Sequence, residues 1–162
     1  MSTAYFAGGC FWCITPVFKE LAGVTDVVSG YSGGSEADPK YEDVKAQRTG
    51  HRETIKIEYD SKLVSFAELI DLFLNNVDPF DGEGQFIDRG HSYTLAVYYS
   101  NDAERDCAEK KLAALRLDTG REVFVSVEPF IGFYVAEEYH QDYYLKNPEA
   151  FRRELTESGR MK

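Results

Sequence analysis

Apolar residues recur along this chain with two different spacings, and the switches between them mark out its elements. Thr3-Ala4-Tyr5-Phe6-Ala7 is a short, mostly apolar run ending at Gly8-Gly9, the pattern of a buried strand entering a tight turn. From Phe11 the spacing changes: Ile14, Val17, Phe18 and Leu21 recur at three and four, which predicts a helix over 11–21 stopped by Gly23. Pro16 is discordant, because inside a helix it removes a backbone donor and clashes one turn back; an irregular first turn or a later start is expected. Val24 to Tyr31 reads as a second strand, followed by Ser32-Gly33-Gly34-Ser35 and a polar loop with Asp38-Pro39. A short segment over Tyr41 to Ala46 comes next. Arg52 to Tyr59 alternates polar and apolar residues with period two, as a half-buried strand does.

Ser65 and Glu68 have the spacing of a capping box, and Phe66, Leu69, Ile70 and Phe73 form the apolar face of the helix that follows, ending near Asn75-Asn76. A loop rich in Asp, Gly and Pro spans Asp78 to Gly90, and Tyr93 to Tyr99 has the look of a central strand. Asn101 with Glu104 caps another helix, with a stripe of Ala108, Leu112 and Leu115 and a stop at Gly120. Val123 to Val127 is a further strand stopped by Pro129; the aromatic stretch Phe130 to Tyr134 has no clear period. The order of strands and helices predicts an α+β fold, helices on a mostly antiparallel sheet, whose first six elements match the ferredoxin-like βαββαβ plait with an additional strand and helix and long loops.

Composition narrows the class. The 162 residues are 43% hydrophobic and 14% aromatic, enough for one compact core, so a single domain over 1–162 is expected, with a charged tail over about 152–162. With 18 basic against 28 acidic residues the net charge is −10, which disfavours nucleic acid and anionic membrane surfaces as partners. No apolar run reaches the roughly 18 to 20 residues of a bilayer span and no signal peptide is evident, so a cytoplasmic protein is expected. Nothing demands a partner subunit, and the expectation is a monomer.

The densest chemistry lies in Gly8-Gly9-Cys10-Phe11-Trp12-Cys13. A cysteine in the first turn of a helix sits at the positive end of the helix dipole, which favours thiolate and lowers the thiol pKa. Cys13 lies three residues on, on the same face, within reach of a disulfide. With three cysteines in a reducing compartment, a Cys-x-x-Cys pair signals redox or metal chemistry more often than a structural staple. A zinc site needs a second ligand pair, which the scattered histidines do not supply. A thioredoxin-type disulfide oxidoreductase and a non-enzymatic binding module of plait fold stay open on these residues alone.

Several distant motifs then form one set. Gly9-Cys10-Phe11-Trp12, Gly30-Tyr31-Ser32-Gly33-Gly34, Tyr41 with Val44, Gly50-His51-x-Glu53, Asp88-x-Gly90-x-x-Tyr93, and His140-Gln141-Asp142-Tyr143 with Asn147-Pro148 together resemble the peptide methionine sulfoxide reductase A family over nearly the whole chain. The resemblance implies a ferredoxin-like core and reduction of the S epimer of methionine sulfoxide, free or in proteins, at the expense of thioredoxin, with no cofactor and no metal. It implies Cys10 as nucleophile, Glu53 as the acid that protonates the sulfoxide oxygen, and Tyr41 and Tyr93 as donors to that oxygen. Phe11 and Trp12 become the wall for the methyl group, Asp88 lies near the incoming peptide, and His140 and Tyr143 flank the pocket. A carboxyl in an apolar pocket has the raised pKa that this acid needs.

Two departures from the family pattern matter. Many members have glycine where this chain has Cys13, and keep recycling cysteines near the C-terminus, where this chain has none after Cys107. The resolving role falls to Cys13, giving a Cys10–Cys13 disulfide recycled by thioredoxin, with Cys107 a boundary packing residue beside Ala103 and Ala114. Thr94 stands where many relatives carry arginine, and a change in how the active-site loop is anchored is expected. His51 and His91 receive no role.

Overall fold

The computed structural model describes residues 1–158 of the 162-residue chain. Its strands are β1 (Ser2–Gly8), β2 (Val24–Ser32), β3 (Arg52–Tyr59), β4 (Gly84–Gln85), β5 (Asp88–Arg89), β6 (Leu95–Tyr99), β7 (Val125–Pro129) and β8 (Phe133–Val135). Its helices are α1 (Phe11–Lys19), α2 (Tyr41–Lys45), α3 (Phe66–Asn75), α4 (Asp102–Thr119), α5 (Tyr143–Lys146) and α6 (Pro148–Ser158). Six strands form one sheet in the order β7-β6-β1-β3-β2-β8, and β4 and β5 make a small hairpin of their own. All pairs in the large sheet are antiparallel except β6 with β7, which run parallel and are joined through α4 as such a crossover requires.

Alternation along the strands sorts the sheet's two faces. Ala4 and Phe6 of β1 lie opposite Ile57 and Ile55 of β3. With Ile14 and Phe18 of α1, Leu69, Ile70 and Phe73 of α3, and Ala108 and Leu112 of α4 they build the main core. A smaller cluster of Ala7, Ala96 and Tyr98 lies apart from it, and Tyr5 there stacks on Phe130 at 3.9 Å between ring centroids. No helix among the described residues is long and apolar enough to cross a membrane.

The capping signals are realised. Ser65 accepts from the Glu68 N–H while the Glu68 side chain returns to Ser65, and Asn101 accepts from Glu104 with Gly120 closing α4 in the left-handed region. Other boundaries shift for physical reasons. Helix α1 starts at Phe11 and runs through Pro16, the Cys13 N–H bonding the Cys10 carbonyl at 3.1 Å. The strand expected from Tyr93 begins only at Leu95, because His91–Tyr93 winds into a 3₁₀ turn held by the Thr94 hydroxyl donating to the His91 carbonyl at 2.6 Å. The run at Val123 enters the sheet later, over Val125–Pro129, where an edge position tolerates proline. The aromatic stretch without a period supplies β8, whose Phe133 and Tyr134 press so closely on Gly30 that a Cβ there would collide with both. Of the charged tail, residues up to 158 belong to α6, and 159–162 lie outside the described residues.

Candidate active site

Sheet register gathers the first three site residues. The end of β1 lies beside the start of β6, with Gly8 opposite Leu95, and β3 runs antiparallel on β1's other side, so its first residues reach the same edge. That edge carries Cys10, Tyr93 and Glu53. Gly9 turns the chain at φ +84°, and Cys10 becomes the N-cap of α1.

Glu53 points under that helix start. Its Oε1 accepts from the Phe11 N–H at 3.1 Å, and the residue is only 1% exposed. Oε2 is also buried and has no hydrogen-bond partner of good geometry among the described residues. Burial pushes the Glu53 carboxyl up to about 8 against the pull of the Phe11 N–H, and the Asp88 and Cys13 charges push the same way. Glu53 therefore holds a proton at neutral pH.

Tyr41, from α2, and Tyr93 complete the polar side. Burial and then the Glu53 charge hold both phenols well above the ordinary range, so both are donors. Each hydroxyl interacts with a neighbour in the group, Tyr41 with Tyr93 and Tyr93 with Glu53. Asp88 is brought to the group by the β4–β5 hairpin, a piece of order inside the long loop, and its charge is felt at Cys10 and Glu53.

The apolar side is aromatic. Trp12 stacks on Tyr143 at 4.1 Å between centroids and donates its indole N–H to His140 Nδ1 at 2.9 Å. Phe11 and Tyr41 also lie against the His140 ring, at 5.1 and 4.2 Å. Burial lowers the His140 pKa to about 4, so the ring is neutral; accepting at Nδ1, it keeps its proton on Nε2. All ten site residues expected from the sequence thus come together in one group.

Both thiols are free, and they differ from expectation in one respect: the Cys10 pKa is raised, not lowered. The hydrogen bond that Cys10 donates to the Cys13 sulfur contributes most, then burial, then the charges of Cys13, Glu53 and Asp88. A helix dipole contributes roughly 0.3–1 kcal/mol. Burial among acidic groups outweighs it. Cys107 packs at the core margin, as expected, and its thiol is raised by burial.

Further residues fix this group from behind, and of these Glu137 carries no signal in the sequence. Glu137 accepts from the Tyr31 hydroxyl at 2.8 Å and from the Tyr41 N–H at 3.0 Å, which sets the start of α2. Gln141 clamps Ser29 of β2 with both ends of its amide, at 3.0 and 2.9 Å, and so holds the segment that carries His140 and Tyr143. Only its place in the His140–Tyr143 motif could have drawn attention to it. Thr94 anchors the Tyr93 turn by accepting from Arg52 Nε at 2.8 Å. His51 is structural, taking the Gly34 N–H at Nδ1 and meeting the Glu36 carbonyl through Nε2.

Comparison with known proteins fits this geometry. A family model described as peptide methionine sulfoxide reductase matches residues 2–162. A relative from Streptococcus equi subsp. equi, named peptide methionine sulfoxide reductase MsrA, is 44% identical over 154 residues, 93% of this chain and 90% of its own. Among solved structures, Mxr1 from Saccharomyces cerevisiae in reduced form superposes with a TM-score of 0.85 at 29% identity, covering 91% of this chain and 86% of that one. Mxr1 in complex with Trx2 shares the fold at a TM-score of 0.58 and 21% identity, over 88% and 84% of the two chains. The match takes in every residue of the site, and the chain belongs to the peptide methionine sulfoxide reductase family as an oxidoreductase of the MsrA type.

Proposed function

We propose that this chain is a single-domain peptide-methionine (S)-S-oxide reductase in which Cys10 attacks the sulfoxide sulfur of free or protein-bound methionine sulfoxide. One observation carries the reading: a protonated, buried Glu53 sits under the helix start that bears Cys10, with the Tyr41 and Tyr93 phenols beside it. A sulfoxide oxygen is a poor leaving group, so a nucleophile alone is insufficient and a proton must reach the oxygen as attack proceeds. Glu53 supplies that proton, and the two phenols bind the oxygen as negative charge grows on it. In the resting protein Cys10 is a thiol. The positive end of the S–O dipole, placed against Sγ by the bound substrate, favours its ionisation where the acidic neighbours opposed it.

Phe11 and Trp12 receive the methyl group, and a methyl wall opposite oxygen donors accepts one configuration at sulfur. Asp88, His140 and Tyr143 border the substrate. Oxygen passes to Cys10 as a sulfenic acid and the thioether leaves. The Cys13 thiol then condenses with the sulfenic acid, releasing water and leaving a Cys10–Cys13 disulfide. A dithiol protein of the thioredoxin class restores both thiols; a partner of this kind is named for the yeast relative. No prosthetic group enters the cycle. The strand order β6-β1-β3-β2, with α1 and α3 as its crossovers, supports the ferredoxin-like plait as the core of the domain. We place this monomeric enzyme in the cytoplasm, where thiols are kept reduced.

Turnover of separated S and R methionine sulfoxides with dithiothreitol tests the reading. Reduction of the S epimer alone, abolished in Cys10→Ser, is expected. Equal rates on both epimers, or an active Cys10→Ser, would sink it.

A further inference from the structure

The two phenols proposed to bind the sulfoxide oxygen come from separate elements: Tyr41 opens α2, and Tyr93 ends the 3₁₀ turn His91–Tyr93. Gln47, which the mechanism does not use, joins those elements. It stands just past α2, its N–H bonding the Val44 carbonyl at 3.1 Å and its backbone left-handed at φ +63°. Its Oε1 accepts from the Ser92 N–H at 3.0 Å, while Nε2 donates to the Ser92 hydroxyl at 2.7 Å and to the Lys45 carbonyl at 3.1 Å. One amide is thus bonded both to the last residue of α2 and to the residue before Tyr93. The turn's own bonds take the Tyr93 and Thr94 N–H groups and leave the Ser92 N–H, in a residue 1% exposed, to this amide. Gly90 makes room for it: a Cβ there would lie 2.6 Å from Gln47 Cδ.

A left-handed residue just after a helix is ordinarily glycine, which has no Cβ to strain. Glutamine at φ +63° carries that strain, and an outlier of this kind points to what its side chain does. We infer that Gln47 is a positioning residue: its amide sets the turn's distance from α2 and so places the Tyr93 hydroxyl beside that of Tyr41, where both can donate to one oxygen. The inference rests on the oxygen-binding role proposed above for the two phenols. Their hydroxyls already meet in the resting protein. Thr94 and His91 hold the same turn, but to Arg52 of β3 and to the Gly50 carbonyl at that strand's approach. Gln47 holds it to α2. A donor misplaced by about 1 Å can lose up to about 10²-fold in rate, so a tie between two donors acts on the chemistry without touching the substrate.

The test is a single turnover of methionine S-sulfoxide by the pre-reduced full chain, which reads the chemical step with no reductant present. Gln47→Gly removes the amide and suits the left-handed backbone. It is expected to lower the saturating rate about tenfold while the half-saturating concentration stays within about twofold. In a Tyr93→Phe background, already slower, the same substitution is expected to cost less than about twofold, because no hydroxyl remains to be misplaced. A general loss of fold would lower the rate alike in both backgrounds. An unchanged rate in Gln47→Gly, or about tenfold losses in both backgrounds, overturns the inference. A wild type inert toward the sulfoxide strikes the proposed reaction instead, and crystal structures of wild type and Gln47→Gly then decide. A Tyr93 hydroxyl moved by about 0.5 Å or more relative to that of Tyr41 upholds the positioning role, and superimposable phenols overturn it.

Discussion

Arg52 and Glu53 are consecutive on β3, both are buried, and the strand turns them to opposite faces of the sheet. Arg52, 8% exposed, donates to Glu128 at 2.7 Å, to the Tyr98 hydroxyl at 3.2 Å and to Thr94 at 2.8 Å. Its charge is neutralised where it sits. Glu53 receives the Phe11 N–H and an interaction with the Tyr93 hydroxyl, but no cation, and burial with two more acidic neighbours outweighs them, so it gives up its charge instead. A buried ionisable group must be paired or neutral. The two faces of one dipeptide take one solution each, and the unpaired solution is the one that stores a transferable proton. Arg52 also reaches the candidate site from the back, because Thr94 joins it to the turn that carries Tyr93.

The largest effect that would break this contrast is on rate. Glu53→Gln is expected to lower kcat with dithiothreitol by about 10²–10³-fold, the usual range for a lost general acid, while Arg52→Met changes kcat less than about fivefold. Comparable losses in both would erase the division of labour. Next comes stability: Arg52→Met should cost roughly 2 kcal/mol in denaturant unfolding, less than a fully buried pair would, since Glu128 is partly exposed and water can take over its carboxylate. A cost near zero would mean the pairing contributes nothing.

The pH profile sharpens the comparison. With the Glu53 carboxyl pushed up to about 8, kcat/KM should fall as pH rises past that value, because the proton donor is lost. Glu53→Gln should lack this alkaline limb, and Arg52→Met should keep it. A limb surviving in Glu53→Gln would assign it to another group.

The sequence showed the Glu53 side of this contrast and hid the Arg52 side. Glu53 stood in a motif with the thiols and tyrosines, and the period-two pattern of β3 put it on the same face as Ile55 and Ile57. The partners of Arg52 are 42 to 76 residues distant along the chain, and a long-range pairing leaves no local pattern. Glu137 and Gln141 were hidden likewise, since each acts on backbone groups about a hundred residues away. Capped helices were legible to the residue because their signals lie within one turn. Strand edges were not: Tyr93 has the β propensity of a strand residue, but the Thr94 bond to His91 winds it into a turn. The thiol pKa was misjudged for a related reason, as the helix start was visible in sequence and the acidic enclosure was not.

A last effect concerns the stability that Glu53 forgoes. In the unfolded chain its carboxyl titrates near the ordinary value of 4.5, and in the fold at about 8. Between those values the native state holds a proton that the unfolded state has released, so unfolding loses a proton and stability falls as pH rises. Below the lower value both states are protonated and the group contributes no slope. Glu53→Gln keeps an acceptor for the Phe11 N–H and carries no titrating proton. Its stability relative to wild type should therefore be flat below about pH 4.5 and climb toward pH 8 at up to roughly 1.4 kcal/mol per pH unit, read from urea midpoints across pH. Arg52→Met should show no such climb. A variant more active or less stable than wild type at pH 8 would mean that the proton on Glu53 serves the fold and not the reaction. The expected opposite outcome, a more stable and slower enzyme, is what a buried acid kept for chemistry produces.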